Sequence, residues 1–224
     1  MYLTFDVSLN FRDRIYGGLP KDKQVLENYV KAKFKSEDTS PADTDLDLEE
    51  SLDQYTNGFR CDDTGIYLGS YQIKAMLSEA ASLLEITTKK RGSKQTIKEG
   101  LIIKGRDLNG GFTGEKVYLL PYKSEPDGIE TVAGHVSTAQ GSRDILRNME
   151  YVVQPNIKFQ LWFLLNRFGE DERAKKITVL DVKKMLAHGR ELGLGSFRNH
   201  ASGKFDIASF EQLETPKDED IIDF

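Results

Sequence analysis

Two runs of alternating apolar and polar residues constrain the fold of this chain more than any other feature. In the first run, every second residue from Leu3 to Phe11 is apolar. In the second, the same alternation extends from Ile157 to Leu165. A period of two places successive side chains on opposite faces of a β-strand. Each run therefore predicts a long strand that turns one face to the core.

Each predicted strand is followed along the chain by a predicted helix. The first helix lies in "GSYQIKAMLSEAASLLE", where Ser70 is the expected N-cap. Its apolar residues recur with helical spacing at Ile73, Leu77, Ala80 and Leu84. The second helix lies in "VLDVKKMLAHGREL", with Thr178 as its expected cap, and the strand "KFDIASFEQL" comes after it. Strand, helix and strand at each end of the chain predict an α+β fold with a ferredoxin-like or RRM-like split βαβ core.

The segments between these elements give weaker signals. Gly17 and Gly18 predict a turn, and the stretch that starts at Pro20 suits a further helix. "EKVYLLPY" predicts a strand, whereas residues 124–150 have no clear pattern. We therefore expect one RRM-like domain with two insertions and a tail. The expected parts are the domain at 1–213, an acidic loop at 36–57, a basic loop or hairpin at 87–107 and a disordered acidic tail at 214–224.

Charge is unevenly distributed along the chain. The net charge is −5, yet residues 37–53 contain eight acids and no base, and the tail is also acidic. The body that remains is basic, and its densest stretch is the basic insertion, with the cations Lys89, Lys90, Arg91, Lys94, Lys98, Lys104 and Arg106. A basic body with acidic extensions can bind a polyanion in spite of an acidic pI. The alternative is a solvated basic face with two solubilising segments.

No pattern in the sequence indicates an enzyme, a metal site or a cofactor. The histidines His135, His188 and His200 are scattered and are not spaced as metal ligands. The acidic stretch "DTDLDLEE" has Leu48 where a calcium loop needs glycine. Cys61 is the single cysteine, which excludes an intrachain disulfide and suits a reducing cytoplasm. We expect a cytoplasmic protein without a signal peptide, a membrane span or catalytic activity.

The turn "GLGSFRNHASGKF" carries the strongest binding signal. Gly193, Gly195 and Gly203 permit positive φ angles and close approach of the backbone to a ligand. Side-chain donors are concentrated between them and beside them, at Arg198, Asn199, His200, Ser202 and Lys204. Phe197 is placed to stack on a base. The turn predicts a loop that contacts phosphates, and the alternative is a helix C-cap at Gly193 followed by an ordinary polar turn.

Two of these segments resemble the RAMP superfamily, the RNA-binding backbone subunits of CRISPR effector complexes. The matching stretches are "GIYLGSYQIKAMLSEA" and "LGLGSFRNHASGKFDIASFE". Within them the corresponding residues are Ser70, Lys74, Gly193, Gly195, Arg198, Gly203 and Lys204. The resemblance implies an RRM-like fold and a groove for single-stranded nucleic acid. The family has "PGS" where this chain has "LGS", and glycine where it has Ala75. The aspartate of the RNA-cleaving members has no counterpart here, so nuclease activity does not follow.

The last residues, "PKDEDIIDF", are similar to the acidic C-terminal tips of bacterial and bacteriophage single-stranded DNA-binding proteins. That resemblance implies a tip that binds replication or recombination proteins through Phe224, as in an apolar pocket with a basic rim. The expected partner-binding residues are Asp218, Glu219, Asp220, Ile221, Ile222, Asp223 and Phe224.

Three functional hypotheses follow. The first is a non-catalytic, phage-type protein that coats single-stranded DNA and can associate with further copies along the strand. The second is a RAMP-type RNA-binding subunit of a CRISPR effector complex, or an inhibitor that acts on such a complex. The third is a Cas-type endoribonuclease that uses His135 or His200 as general base. A preference for DNA or RNA separates the first two, and RNA cleavage that depends on a histidine would establish the third.

Overall fold

The computed structural model describes residues 2–21, 56–86, 97, 100–138, 141–164, 178–198 and 202–213. The strands are β1 (Tyr2–Phe11), β2 (Arg14–Tyr16), β3 (Leu19–Pro20), β4 (Thr56–Gly58), β5 (Arg60–Cys61), β6 (Ile66–Gly69), β7 (Leu101–Gly105), β8 (Lys116–Tyr118), β9 (Gly128–Thr138), β10 (Gly141–Val153), β11 (Asn156–Leu164) and β12 (Phe205–Leu213). The helices are α1 (Ser70–Leu83) and α2 (Val179–Leu192).

The central sheet has the order β12-β1-β11-β7, with antiparallel neighbours throughout. In chain order its strands alternate with the helices as β1-α1-β7 and β11-α2-β12. The two strands joined through each helix are parallel and have one strand between them, which defines a split βαβ unit. The predicted α+β fold with a ferredoxin-like core is therefore confirmed.

One face of the central sheet forms the core with the two helices. Phe5, Leu9, Phe159, Leu161 and Phe205 alternate along the strands and are fully buried. Each such side chain contributes about 1.5–3 kcal/mol through removal of apolar surface from water. The residues that the alternation predicts to face the core in β1 and β11 are thus the buried ones.

The two helices pack closely against each other because α2 contains a glycine at the contact. A Cβ atom on Gly189 would lie 2.2 Å from the Sδ atom of Met76 in α1. Ile73, Leu77 and Ala80 of α1 are fully buried, as the helical spacing predicts. The prediction for Leu84 is wrong, since it follows the last turn of α1 and its side chain is 37% exposed.

The helix caps agree with the sequence at α2 and differ at α1. The Thr178 hydroxyl accepts from the Asp181 N–H at 3.2 Å, and the Asp181 carboxylate accepts from the Thr178 N–H at 2.9 Å. At α1 the N-cap is Gly69, and Ser70 is the first helical residue. The Gly69 N–H donates to Oε1 of Gln72 at 3.1 Å, so a glutamine replaces the expected serine cap.

Several sequence predictions between the core elements are wrong. Leu101–Gly105, expected within a loop or hairpin, is the strand β7 of the central sheet. Pro20 lies in β3 rather than in a first helical turn, and the rest of the stretch expected to be helical lies outside the described residues. Thr56–Gly58 at the end of the expected acidic loop forms β4. The unassigned stretch 124–150 supplies most of β9 and β10, which pair as a long antiparallel hairpin.

The hairpin also pairs with two strands from the first third of the chain. β10 pairs with β2 in an antiparallel ladder and with β4 in a parallel one. It thereby joins segments that are far apart in sequence beside the central sheet. Among the described residues, no helix is long and apolar enough to cross a membrane.

Candidate nucleic-acid interface

The segment 193–204, which we call the glycine loop, follows α2 and precedes β12. Gly193, Gly195 and Gly203 have φ angles of 76°, 82° and 70°. A Cβ atom on Gly203 would lie 1.9 Å from the carbonyl oxygen of Leu194, so only glycine fits at that position. The Gly193 N–H donates to Gly189 O at 2.9 Å, so the loop begins as the expected helix C-cap.

The glycine loop is attached to β2 by backbone hydrogen bonds. The Ser196 N–H donates to Tyr16 O at 3.0 Å, and the Gly203 N–H donates to Arg14 O at 2.9 Å. A Cβ atom on Gly18, just after β2, would lie 1.9 Å from Oγ of Ser196. The close approach of two glycine-containing turns therefore fixes the position of the loop.

Two cavities lie on either side of the glycine loop and have Tyr16 in common. The helix-side cavity has a volume of about 110 Å³ and is lined by residues that include Ser196, Arg60, Tyr67, Tyr71 and Gln72. The hairpin-side cavity has a volume of about 340 Å³ and is lined by Asp13, Arg14, Val132, Ala133, Phe197 and Ser202 in addition to Tyr16. We refer to the two cavities together as the crevice.

Aromatic rings and arginines line the crevice in close contact. The guanidinium of Arg60 lies 5.5 Å from the ring centroid of Tyr71, which is 55% exposed. On the other side of the loop, the Phe197 and Tyr16 rings are 6.3 Å apart, and Phe197 has a φ of 62°. Exposed aromatic faces beside cations are the groups on which the bases of single-stranded nucleic acid stack.

Glu130 of β9 binds the polar groups of two β2 side chains, Arg14 and Tyr16. Its Oε2 atom accepts from the Tyr16 hydroxyl at 2.5 Å and from Arg14 at 2.6 Å. The Arg14 guanidinium also lies 4.5 Å from the Tyr151 ring centroid. The hydrogen bond from Tyr16 holds the pKa of Glu130 below its usual range, while burial raises the pKa of Tyr16. Glu130 is therefore a stable anion at neutral pH, and it orients Tyr16 toward the hairpin.

The predicted cations of the glycine loop are paired with acids of the helices. Arg198 donates to Glu79 of α1 at 3.0 Å, and Lys204 donates to Glu191 of α2 at 3.1 Å. These side chains are 33–49% exposed. Solvated pairs of this kind are worth about 0–1 kcal/mol, so a phosphate can replace the carboxylate at low cost.

Lys74, the lysine of α1 that the resemblance singles out, is half-buried, and burial lowers its pKa. The other predicted contacts lie outside the described residues and stay predictions. They are Lys89, Lys90, Arg91, Lys94, Lys98, Asn199, His200 and the tip Asp218, Glu219, Asp220, Ile221, Ile222, Asp223 and Phe224.

Residues of the crevice outside the glycine loop were not predicted from the sequence. They are Arg14, Tyr16, Arg60, Tyr67 and Tyr71. The first two stand in "RIYGG", where a cation and an aromatic residue precede a glycine pair, much as they accompany the glycines of the loop. That similarity of composition is the signal that identifies β2 as part of the same site.

Comparison with known proteins gives a structural similarity at low identity. No protein-family model and no curated protein matches the chain. A solved structure that matches is the cryo-EM structure of the Type III-B Cmr-beta bound to cognate target RNA, with a TM-score of 0.46 and 12% sequence identity. The alignment covers 95% of this chain and 61% of that chain, so this chain spans about three fifths of the length of its counterpart. The ferredoxin-like fold rests on the strand order, and this similarity adds no function to it.

Proposed function

We propose that this protein binds single-stranded nucleic acid in the crevice, prefers RNA to DNA, and does not cleave it. One contact carries the proposal: Arg198 of the glycine loop donates to Glu79 of α1 across 119 positions of sequence. The loop and α1 are the two segments that resemble the RAMP superfamily. Their direct contact in the fold supports a common site, which separate motifs in the sequence do not.

The chemistry of the crevice suits a flexible strand. Tyr71 and Phe197 offer aromatic faces on either side of the glycine loop, and stacking is worth about 1–3 kcal/mol per base. Arg60, Arg198 and Lys204 supply positive charge for phosphates. A duplex keeps its bases stacked on each other, so it cannot use the aromatic faces. Binding is therefore expected to favour single strands.

The preference for RNA follows from the resemblance of α1 and the glycine loop to RNA-binding subunits. The biological role that corresponds to this preference is that of an RNA-binding subunit of a CRISPR effector complex, or of an inhibitor that acts on such a complex. A phage-type role on single-stranded DNA depends on the acidic tip at 214–224, outside the described residues, and stays a prediction.

Fluorescence anisotropy tests the proposal with labelled single-stranded RNA, single-stranded DNA and duplex of equal length at two salt concentrations. We expect the order RNA, DNA, duplex from tightest to weakest, with affinity falling as salt rises. Equal affinity for duplex, or no binding to any of them, would contradict the site. Recovered RNA should keep its length on a denaturing gel, whereas shortened RNA would contradict binding without cleavage.

A pair of matched variants locates the interaction. Arg60→Ala removes a cation of the helix-side cavity, and Lys184→Ala removes an exposed cation of α2 that lines neither cavity. Each changes the net charge by one unit. We expect Arg60→Ala to weaken binding and Lys184→Ala to leave it nearly unchanged.

A further inference from the structure

The hairpin-side cavity has the shape and walls of a site for one nucleobase. Tyr16 and Phe197 provide aromatic surface, and Val132 and Ala133 of β9 add apolar surface. The volume of about 340 Å³ leaves room for a planar ring between these walls. A flat, partly apolar ligand that stacks on aromatic rings fits this description.

The hydroxyl groups of the cavity already donate within the protein. The Tyr16 hydroxyl donates to Glu130 at 2.5 Å. The Ser202 hydroxyl is 2.5 Å from the carbonyl oxygen of Phe197 and is itself buried. The Arg14 guanidinium lies against the Tyr151 ring and donates to Glu130, which offsets its charge. A ligand that needs a hydroxyl donor therefore finds none unoccupied among these groups.

Asp13 differs from these groups because no other described residue pairs with its carboxylate. Within the part of the chain that the structure describes, its side chain makes no hydrogen bond and no ion pair. Its backbone is nevertheless fixed, since Asp13 O accepts from the Gln154 N–H at 2.9 Å. An ionised carboxylate accepts hydrogen bonds and donates none. The Asp13 carboxylate thus offers a hydrogen-bond acceptor to a ligand in the cavity.

We propose that the hairpin-side cavity is a base subsite in which Asp13 accepts a hydrogen bond from an exocyclic amino group. The inference rests on the proposed function and adds base selectivity to it. Cytosine carries an amino donor at the position where uracil carries a carbonyl acceptor. The Asp13 carboxylate attracts the former and repels the latter. The protein therefore binds cytosine-containing strands more tightly than uracil-containing ones.

The test compares two ligands that differ in this group alone. Anisotropy titrations use labelled oligocytidylate and oligouridylate of equal length. The corresponding deoxyribonucleotide strands, one of cytosine and one of uracil, are titrated in parallel so that the result does not depend on the sugar. The wild type is expected to prefer cytosine by roughly tenfold, the effect of one good base contact. Asp13→Asn keeps the shape of the side chain and adds a donor, and it should reduce the preference to about twofold or less.

The matched control is Asp63→Asn, which removes the same charge from an exposed turn outside the cavity. The ratio of the two affinities is the readout, because loss of any acid strengthens binding to all polyanions. A preference that Asp63→Asn keeps and Asp13→Asn loses supports the subsite. Equal wild-type affinities, or a preference that survives in Asp13→Asn, overturn the subsite while leaving nucleic-acid binding intact. Absence of binding to every oligonucleotide overturns the proposed function as well.

Discussion

The central sheet and the crevice are held together by different interactions. In the sheet, side chains such as Phe5 and Phe159 are fully buried against the helices. Beside the crevice, pairs such as Arg198 of the glycine loop with Glu79 are more than a third exposed. Burial of apolar surface gives the fold its stability, whereas solvated ion pairs contribute little and exchange readily. The difference means that stability and binding should respond to different substitutions.

The largest effect is expected in the sheet. Phe159→Ala removes a fully buried ring from β11 and should lower the free energy of unfolding by about 3–5 kcal/mol. Urea denaturation followed by circular dichroism measures the change. Lys158→Ala, at the exposed neighbouring position on the same strand, is the control and should stay within about 0.5 kcal/mol of the wild type. Similar unfolding midpoints for the two variants would show that the core is not where the structure has it.

Substitutions in the glycine loop should affect both stability and binding. Gly203→Ala adds a Cβ atom 1.9 Å from Leu194 O at a φ of 70°, so it should displace the loop, lower the melting temperature and weaken RNA binding. Gly114→Ala has a similar φ of 65° with no atom within 4 Å of the added Cβ, so it reproduces the backbone strain without the clash. Thermal melts compare the stabilities of the two variants. Anisotropy compares their RNA affinities at a temperature where both variants are folded. Equal RNA affinities of the two variants would show that binding does not depend on the geometry of the glycine loop.

Substitution of an exposed ring should affect binding without affecting stability. Tyr71→Ala removes an aromatic face from the helix-side cavity and should weaken single-strand binding by about 1–3 kcal/mol. Leu83→Ala removes a comparably exposed apolar side chain from the other end of α1. It should change the affinity little. If both variants bind alike, the ring of Tyr71 does not contact bases.

The smallest effect concerns the ion pair of the glycine loop. Glu79→Gln releases Arg198 from its carboxylate, so RNA binding should tighten a few-fold and the log–log salt slope should steepen by about 0.7 for one added phosphate contact. Glu125→Gln removes an exposed acid that pairs with no cation among the described residues, and it serves as the control. Weaker binding by Glu79→Gln alone would indicate that the carboxylate positions Arg198 rather than competing with phosphate.

The sequence predicted the elements whose residues are periodic within one segment. The alternation of β1 and β11 and the spacing in α1 identify the fold because each pattern is local. β7 was missed since its few alternating residues, such as Leu101 and Ile103, stand among lysines and glycines that favour a loop. The N-cap of α1 is Gly69, one residue before the predicted Ser70. The side chain that binds this end of the helix belongs to Gln72, which accepts from the Gly69 N–H.

The site was predicted only where it is contiguous in sequence. Phe197 and Arg198 lie in one glycine-rich stretch, and the structure has both beside the crevice. Tyr16, Arg60 and Tyr71 come from three other segments. Arg60 comes close to Tyr71 because β5 pairs with β6, just before α1. β2, which carries Tyr16, is joined to β4 through β10, and pairing between strands so far apart along the chain leaves no periodic signal.

Ultraviolet crosslinking of the full-length protein to single-stranded RNA, with the attached peptides identified by mass spectrometry, tests the location of the interface most directly. We expect crosslinks at Tyr71 or Phe197, on either side of the glycine loop. The opposite face of the central sheet carries another aromatic pair, Phe112 and Trp162, with ring centroids 6.3 Å apart. Crosslinks confined to that pair would contradict binding in the crevice.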